Sequence, residues 1–395
     1  MFYLAIFILL IFFSFLELTA IDGVYKRILL IVAFFILWLV SGLRFETGGD
    51  WTTYTEFFHD VEPLDKVLAH NAPVYEESYM EPAYKLLNSI VKSLGGNIQA
   101  IFLIVALLNS ILLFQGLKKY SAYPLTGVMI YFASLYFLLD MLATRQAIAV
   151  LLFFSSIGFI YQRQFWRFFI TMCIAFVFHR SCILLFPFYF FINRTYSNKG
   201  HIFIFIFSLA IFGLQVHWMG KMLSVVAKII GGTNGDIINM YLKSTTYGAN
   251  RLLSVGVLIN VVLFVLFMVK REELSKYRYF NIFFNLFMAN VIVFFVFYEF
   301  IEISNRYRSY FLISNLVLLP YLIFLYKESA MRMAVFASIC GFSFLYGRSV
   351  FLEDPAAIAF NPYQNYLIHE IFDTKSDGAE RLKESDRQYI DSRKR

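Results

Sequence analysis

Apolar runs bounded by charge repeat along the whole chain. They fall near 1–18, 27–43, 97–116, 123–141, 145–161, 165–179, 181–193, 201–219, 251–269, 279–300, 308–326 and 332–349. A lipid-facing helix is apolar all round, and one that crosses a bilayer needs about 20 residues. The pattern therefore predicts an all-α, polytopic integral membrane protein with about twelve transmembrane helices, ten at the lower count. The runs 165–179 and 181–193 are short. They read as two tilted short helices, or as one broken helix that unwinds at His179-Arg180.

Lysines and arginines sort the loops. Lys26-Arg27, Lys118-Lys119, Arg163 with Arg167, Arg194 with Lys199, Lys270-Arg271, and Lys327 with Arg332 fall in every second connection. Cytoplasmic loops carry this excess. The alternate set then faces outward: 44–96, the corners at 141–145 and 179–180, 220–250, 301–307, and 350 onward. Residues 1–350 read as one transmembrane domain with outer loops 44–96 and 220–250. Residues 351–395 read as a C-terminal segment with a charged tail. The first apolar run lacks a basic leader and a small-residue cleavage pattern, so it reads as a retained span.

Composition agrees with the pattern. The 395 residues are 59% hydrophobic and only 15% charged, with 48 Phe. Soluble domains hold about 25% charged residues. The net charge of +7 sits at span ends, and no basic stripe interleaved with aromatics marks a nucleic-acid groove. Three cysteines, in apolar runs, offer neither a disulfide framework nor metal-ligand spacing. "GGTNGD" at 231–236 is not followed by the GK[ST] of a phosphate loop, and GxSxG and HExxH are missing.

Chemistry is therefore sought among charges at the outer ends of spans. The segment "LRFETGGDWTTYTEFF" brings Arg44, Glu46 and Asp50 together beside Gly48-Gly49, ahead of Trp51 and Tyr54. Locally, Asp50 would cap a short helix and Arg44 would snorkel to the interface. Functionally, an arginine suits a phosphate oxygen and a carboxylate suits a sugar hydroxyl. Glu81 stands before Pro82, which suits a helix start. Arg145 opens an apolar span, with Asp140 its nearby acidic neighbour; a membrane arginine needs a polar cavity or a partner. His179-Arg180 interrupts a long apolar stretch. Glu299, Glu302 and Arg306 share one helical face, with Arg308 turned from it. Arg44, Arg145, Arg180, Arg306 and Arg308 thus form an outward set fit for an anionic ligand such as a lipid-linked diphosphate.

In order and spacing, "LRFETGGDWTTYTEFF", "YMEPAYKLLNSIVKSLGGNIQAIF", "LDMLATRQAIAVLLFFSS" and "FVFHRSCILLFPFYFF" resemble the EpsG family, relatives of the Wzy-type O-antigen and capsule polymerases. "NRYRSYFLISNLVLLPYLI" and "NPYQNYLIHE" are weaker echoes. The family's Asn ahead of Arg-Gln is Leu142 here.

The resemblance implies a GT-C-like polymerase architecture in the bacterial cytoplasmic membrane, active at its periplasmic or outer face. It implies a metal-independent, cofactor-free glycosyltransferase. The growing glycan would pass from undecaprenyl diphosphate to a sugar hydroxyl of the next lipid-linked repeat unit. Membrane lipid, a chain-length regulator and a flippase are the partners it implies. Asp50, Glu81 and His179 are candidate bases, with Asp50 favoured for its place in the polar knot. The arginines would hold the diphosphate, and Trp51 and Tyr54 would stack on sugar rings. Two rival functions stand beside this: a lipid-linked oligosaccharide flippase or transporter, and a membrane O-acyltransferase using His179.

Overall fold

The computed structural model describes residues 1–19, 22–232 and 254–394. All regular elements among them are helical, and the β-type pairing present is an isolated bridge between Arg44 and Asn365. The end of "GGTNGD" and the rest of the 220–250 loop lie outside the described residues. The first part of that loop is helical, within Trp218–Ile230.

Among the described residues, four helices are long and apolar enough to cross a membrane: Gly23–Gly42, Ile98–Tyr120, Thr144–Tyr161 and Ser329–Phe351. The number rises to six if two bent pairs each count as one span. One pair joins Asn198–Gly213 to Trp218–Ile229 through a 77° bend, and the other joins Ile303–Leu312 to Asn315–Leu325. The remaining apolar runs form shorter helices of 10–17 residues. At a rise of about 1.5 Å per residue these fall short of a full hydrocarbon core. The twelve runs thus do not map one for one onto full-length spans.

The helices form two compact units, residues 1–189 with 315–388 and residues 190–314 with 389–395. In the first unit the lipid-type signature is direct. Ile8, Phe12, Ile31 and Phe35 are exposed on Phe2–Leu18 and Gly23–Gly42, while Tyr3, Phe7, Leu10 and Leu37 are buried. Apolar residues on both faces mark helices solvated by lipid on one side and protein on the other.

Buried polar groups tie the helix ends. The Glu17 carboxylate accepts the backbone N–H groups of Leu125 (3.0 Å) and Thr126 (3.1 Å). Pro124 opens that helix, so its own missing N–H costs nothing there. A carboxylate from another helix thus satisfies donors that have no intrahelical partner. The helix then passes through a π-helical turn, Phe132–Tyr136, and ends before Asp140.

Segment 44–96 carries four short helices: Trp51–Asp60, Leu64–Leu68, Pro73–Glu77 and Pro82–Ser93. Trp51–Asp60 through Tyr54 and Phe57, Pro82–Ser93 through Tyr84, and Met80 just ahead of it meet Ile101, Phe102, Val105 and Ile148. The segment is therefore packed onto the spans. The helix Phe165–Phe178 stops at His179, which is extended (φ −157°, ψ 117°), and a 3₁₀ segment Arg180–Leu185 follows. The apolar stretch is broken at the residue that interrupts it in sequence.

Candidate functional site

Thr144–Tyr161 and Phe165–Phe178 form an antiparallel helical hairpin with a three-residue connection, 162–164. The start of one helix and the end of the other therefore meet at the same level. Arg145 lies in the first turn of the first helix, and His179 follows the last residue of the second. Pro82 starts its helix at the first position, and this fixes Glu81 as the residue just before it. The Glu81 side chain makes no capping bond to that helix.

It turns instead to the hairpin. Glu81 Oε2 accepts from Arg145 Nη1, and Glu81 Oε1 faces His179 Nδ1 at 3.0 Å. The three side chains are 7%, 16% and 15% exposed. Burial alone pushes the Glu81 carboxyl upward. The hydrogen bond from His179 and the charge of Arg145 outweigh it and hold the group down at about 2. Glu81 is therefore ionised at neutral pH. An ionised carboxylate accepts, so His179 presents Nδ1–H to it and keeps Nε2 as its second site. His179 Nε2 and Arg145 Nε are buried without a hydrogen-bond partner. Tyr54 and Tyr84 flank the guanidinium, with ring centroids 5.7 and 5.8 Å from its carbon. These aromatic faces favour a cation in a poorly hydrated place.

Beside this cluster lies a second buried network. Arg44 is 1% exposed. Its Nη1 donates to the Asp140 carbonyl at 2.5 Å, and its carbon lies 4.6 Å from the Phe102 ring centre. Asp140 accepts from Tyr131 Oη (2.5 Å) and Asn109 Nδ2 (3.0 Å). Arg44 therefore fixes the turn that leads into Arg145. Gly48 has φ +103°, and a Cβ there would collide with the Met141 carbonyl; one on Gly49 would strike Leu142. The glycine pair lets the 44–50 segment lie directly on the 140–142 turn.

Several sequence expectations change in this geometry. Asp140 does not pair with Arg145, whose carboxylate is Glu81. Arg44 does not snorkel, being enclosed by Phe102 and the Asp140 turn. Asp50 stands exposed at the start of Trp51–Asp60 without a side-chain cap bond, so the capping role fails. Tyr54 is 2% exposed, and its ring is spent on Tyr84, Phe102 and Arg145. That packing leaves no open face for a sugar. Trp51 is half-buried against the same core, and Arg180 is exposed.

Arg306 and Arg308 belong to the second unit. Arg306 is exposed, and Arg308 Nε donates to Asn290 Oδ1 at 3.3 Å. Asn290 in turn donates to Asn260 at 2.9 Å. Glu299 accepts the N–H groups of Met219 and Gly220 at the start of Trp218–Ile230. The Glu302 side chain lies outside the described residues.

Tyr84, Asn109 and Tyr131 were not singled out in the sequence. Tyr84 follows Glu81 by three residues, and Asn109 is a lone amide inside an apolar run. Both were visible signals of a polar lining. Among the described residues, no three His, Cys, Asp or Glu side chains are grouped to hold a metal ion.

An all-helical, membrane-embedded chain with a carboxylate locked between an arginine and a histidine is the class these observations define. Residues 27–365 match the EpsG family, a Wzy-type polymerase-like family, and the chain belongs to it. No curated protein and no solved structure matches the chain.

Proposed function

We propose that this protein polymerises lipid-linked oligosaccharide repeat units by glycosyl transfer at the outer face of the bacterial cytoplasmic membrane. EpsG membership supports a polysaccharide polymerase-like activity. The observation that carries the mechanism is the Glu81 bridge to Arg145 and His179, with His179 Nε2 left unpartnered.

In this reading His179 is the base. Its Nε2 takes the proton of the acceptor sugar hydroxyl as that oxygen bonds to the donor's anomeric carbon. Glu81 fixes the ring by its Nδ1–H and stabilises the imidazolium that forms, the arrangement of a carboxylate-oriented histidine. The bond that breaks joins the anomeric carbon to undecaprenyl diphosphate, which leaves with its electron pair. Arg145 stabilises that charge through its guanidinium, whose Nη1 holds Glu81 and whose buried Nε has no hydrogen-bond partner. Asp50 is displaced as the favoured base because it is exposed and stands outside the Glu81 cluster. Arg180 remains a candidate for a further diphosphate contact.

The test is a knockout strain complemented with His179→Ala or Glu81→Gln at wild-type membrane abundance. Single repeat units on the outer side are expected in place of long polymer. Units trapped on the inner side would favour the flippase. Normal polymer with altered acyl content would favour the acyltransferase. Wild-type chain length from both variants overturns the site.

A further inference from the structure

A groove of about 510 Å³ opens within the first unit, away from the Glu81 cluster. One wall is apolar: Phe2, Leu39 and Val40 from the ends of two apolar helices, and Ile368 from the short helix Tyr366–Phe372. Phe2, Leu39 and Ile368 are also exposed, so this wall runs into the lipid-type surface that includes Phe35. The other wall is polar and contains His369, Thr374, Lys375 and Ser376.

The lining carries one formal cation, Lys375, and no carboxylate, while the Glu46 carboxylate stands behind Ser376. The Ser376 hydroxyl is held by Glu46 and Gln364, and Asn365 caps the Tyr366 helix. Asp377, just beyond Ser376, is paired with Arg381 at 2.8 Å. Lys375 is exposed, and among the described residues no hydrogen bond or ion pair engages its ammonium. His369 stacks on Phe45 at 4.0 Å, and its Nδ1 is buried without a partner. Glu370 and Asp373 are exposed and do not line the groove. A cation and an unsatisfied imidazole at one end, with a bilayer-continuous apolar trough at the other, match an amphiphile with an anionic head.

We propose that this groove binds an anionic phospholipid of the surrounding membrane, its phosphate at Lys375 and His369 and one acyl chain along Phe2, Leu39, Val40 and Ile368. The site stands independently of the glycosyl-transfer reading, since it uses none of those residues. The bound lipid would brace the C-terminal segment against the helix ends.

Native mass spectrometry of the full chain, with phosphatidylglycerol or phosphatidylethanolamine added in detergent, tests this. Phosphatidylglycerol should be retained preferentially. A juxtamembrane lysine is worth about fivefold in binding, so Lys375→Gln should lose retention by about that factor, and Lys375→Arg should keep it. Val40→Trp, which fills the trough, should lower retention of both lipids. Equal retention of the two lipids by wild type overturns the proposal, as does phosphatidylglycerol retention unchanged in Lys375→Gln. Stronger binding of undecaprenyl phosphate, displacing phosphatidylglycerol, overturns the assigned occupant. Since Lys375 is exposed, its variants fold, and the result reads on binding alone.

Discussion

Glu81 Oε1 and His179 Nδ1 meet at 3.0 Å across 98 residues of chain. One comes from a segment outside the spans and the other from a break in an apolar stretch. The contact holds the carboxylate ionised at neutral pH and fixes which nitrogen of the imidazole is left for chemistry.

Removing that nitrogen should remove turnover. His179→Ala is expected to slow polymer formation about a hundredfold or more, the usual contribution of a positioned base. Glu81→Gln should slow it less, because the ring keeps a hydrogen-bond acceptor but loses the negative charge beside it. In vitro chain extension on purified lipid-linked units measures both.

Acid should dissolve the cluster. The Glu81 carboxyl sits at about 2 against an ordinary value of 4.5. A group lowered on folding contributes stability above its unfolded value, and that contribution is lost as pH falls through the folded one. The difference amounts to about 3 kcal/mol at neutral pH. Unfolding of wild type and Glu81→Gln in detergent should therefore differ most above pH 4.5 and converge as pH falls towards 2.

Arg44 should behave as a structural residue. Arg44→Ala leaves the Asp140 carbonyl without its donor in a buried place, at a cost of about 1–3 kcal/mol. A lower melting temperature and lower membrane abundance are expected alongside any loss of activity. An unchanged melting temperature with lost activity would return Arg44 to the ligand.

Gly48→Ala tests the loop's seat. Its φ of +103° and the adjacent Met141 carbonyl both oppose a side chain. Such backbone strain costs about 1–3 kcal/mol. Limited proteolysis of the 44–60 region should accelerate in the variant, whereas Gly95→Ala, with φ +75° but open space around it, should strain the backbone without dislodging the 44–50 segment.

Helix content and membrane character were legible because they rest on composition and local run length. The members of the cluster were legible too, since Glu81, Arg145 and His179 each break an apolar or helical pattern. Their partnership was not. Proximity in sequence favoured Asp140 for Arg145, yet the partner stands 64 residues away. The hairpin 144–178 and the packing of Pro82–Ser93 decide it, and neither is written in residue spacing. Local charge density also favoured Asp50 as base. The glycines beside it serve a close backbone approach, which a count of charges does not reveal. Span number suffered from the same limit: apolar runs of 14 to 17 residues look alike whether they cross a bilayer or pack inside it.

The 44–50 segment is also held from the far end of the chain. Phe45 N–H donates to the Gln364 carbonyl, Gly48 N–H to Ala359, and Arg381 Nη2 to the Glu46 carbonyl. Those partners are translated more than three hundred residues after the segment they brace. A nascent chain already threaded through the membrane would carry Glu81, Arg145 and His179 while the turn beneath Arg145 still lacked its outer support. The timing of synthesis would thereby delay assembly of the cluster until that later stretch has emerged.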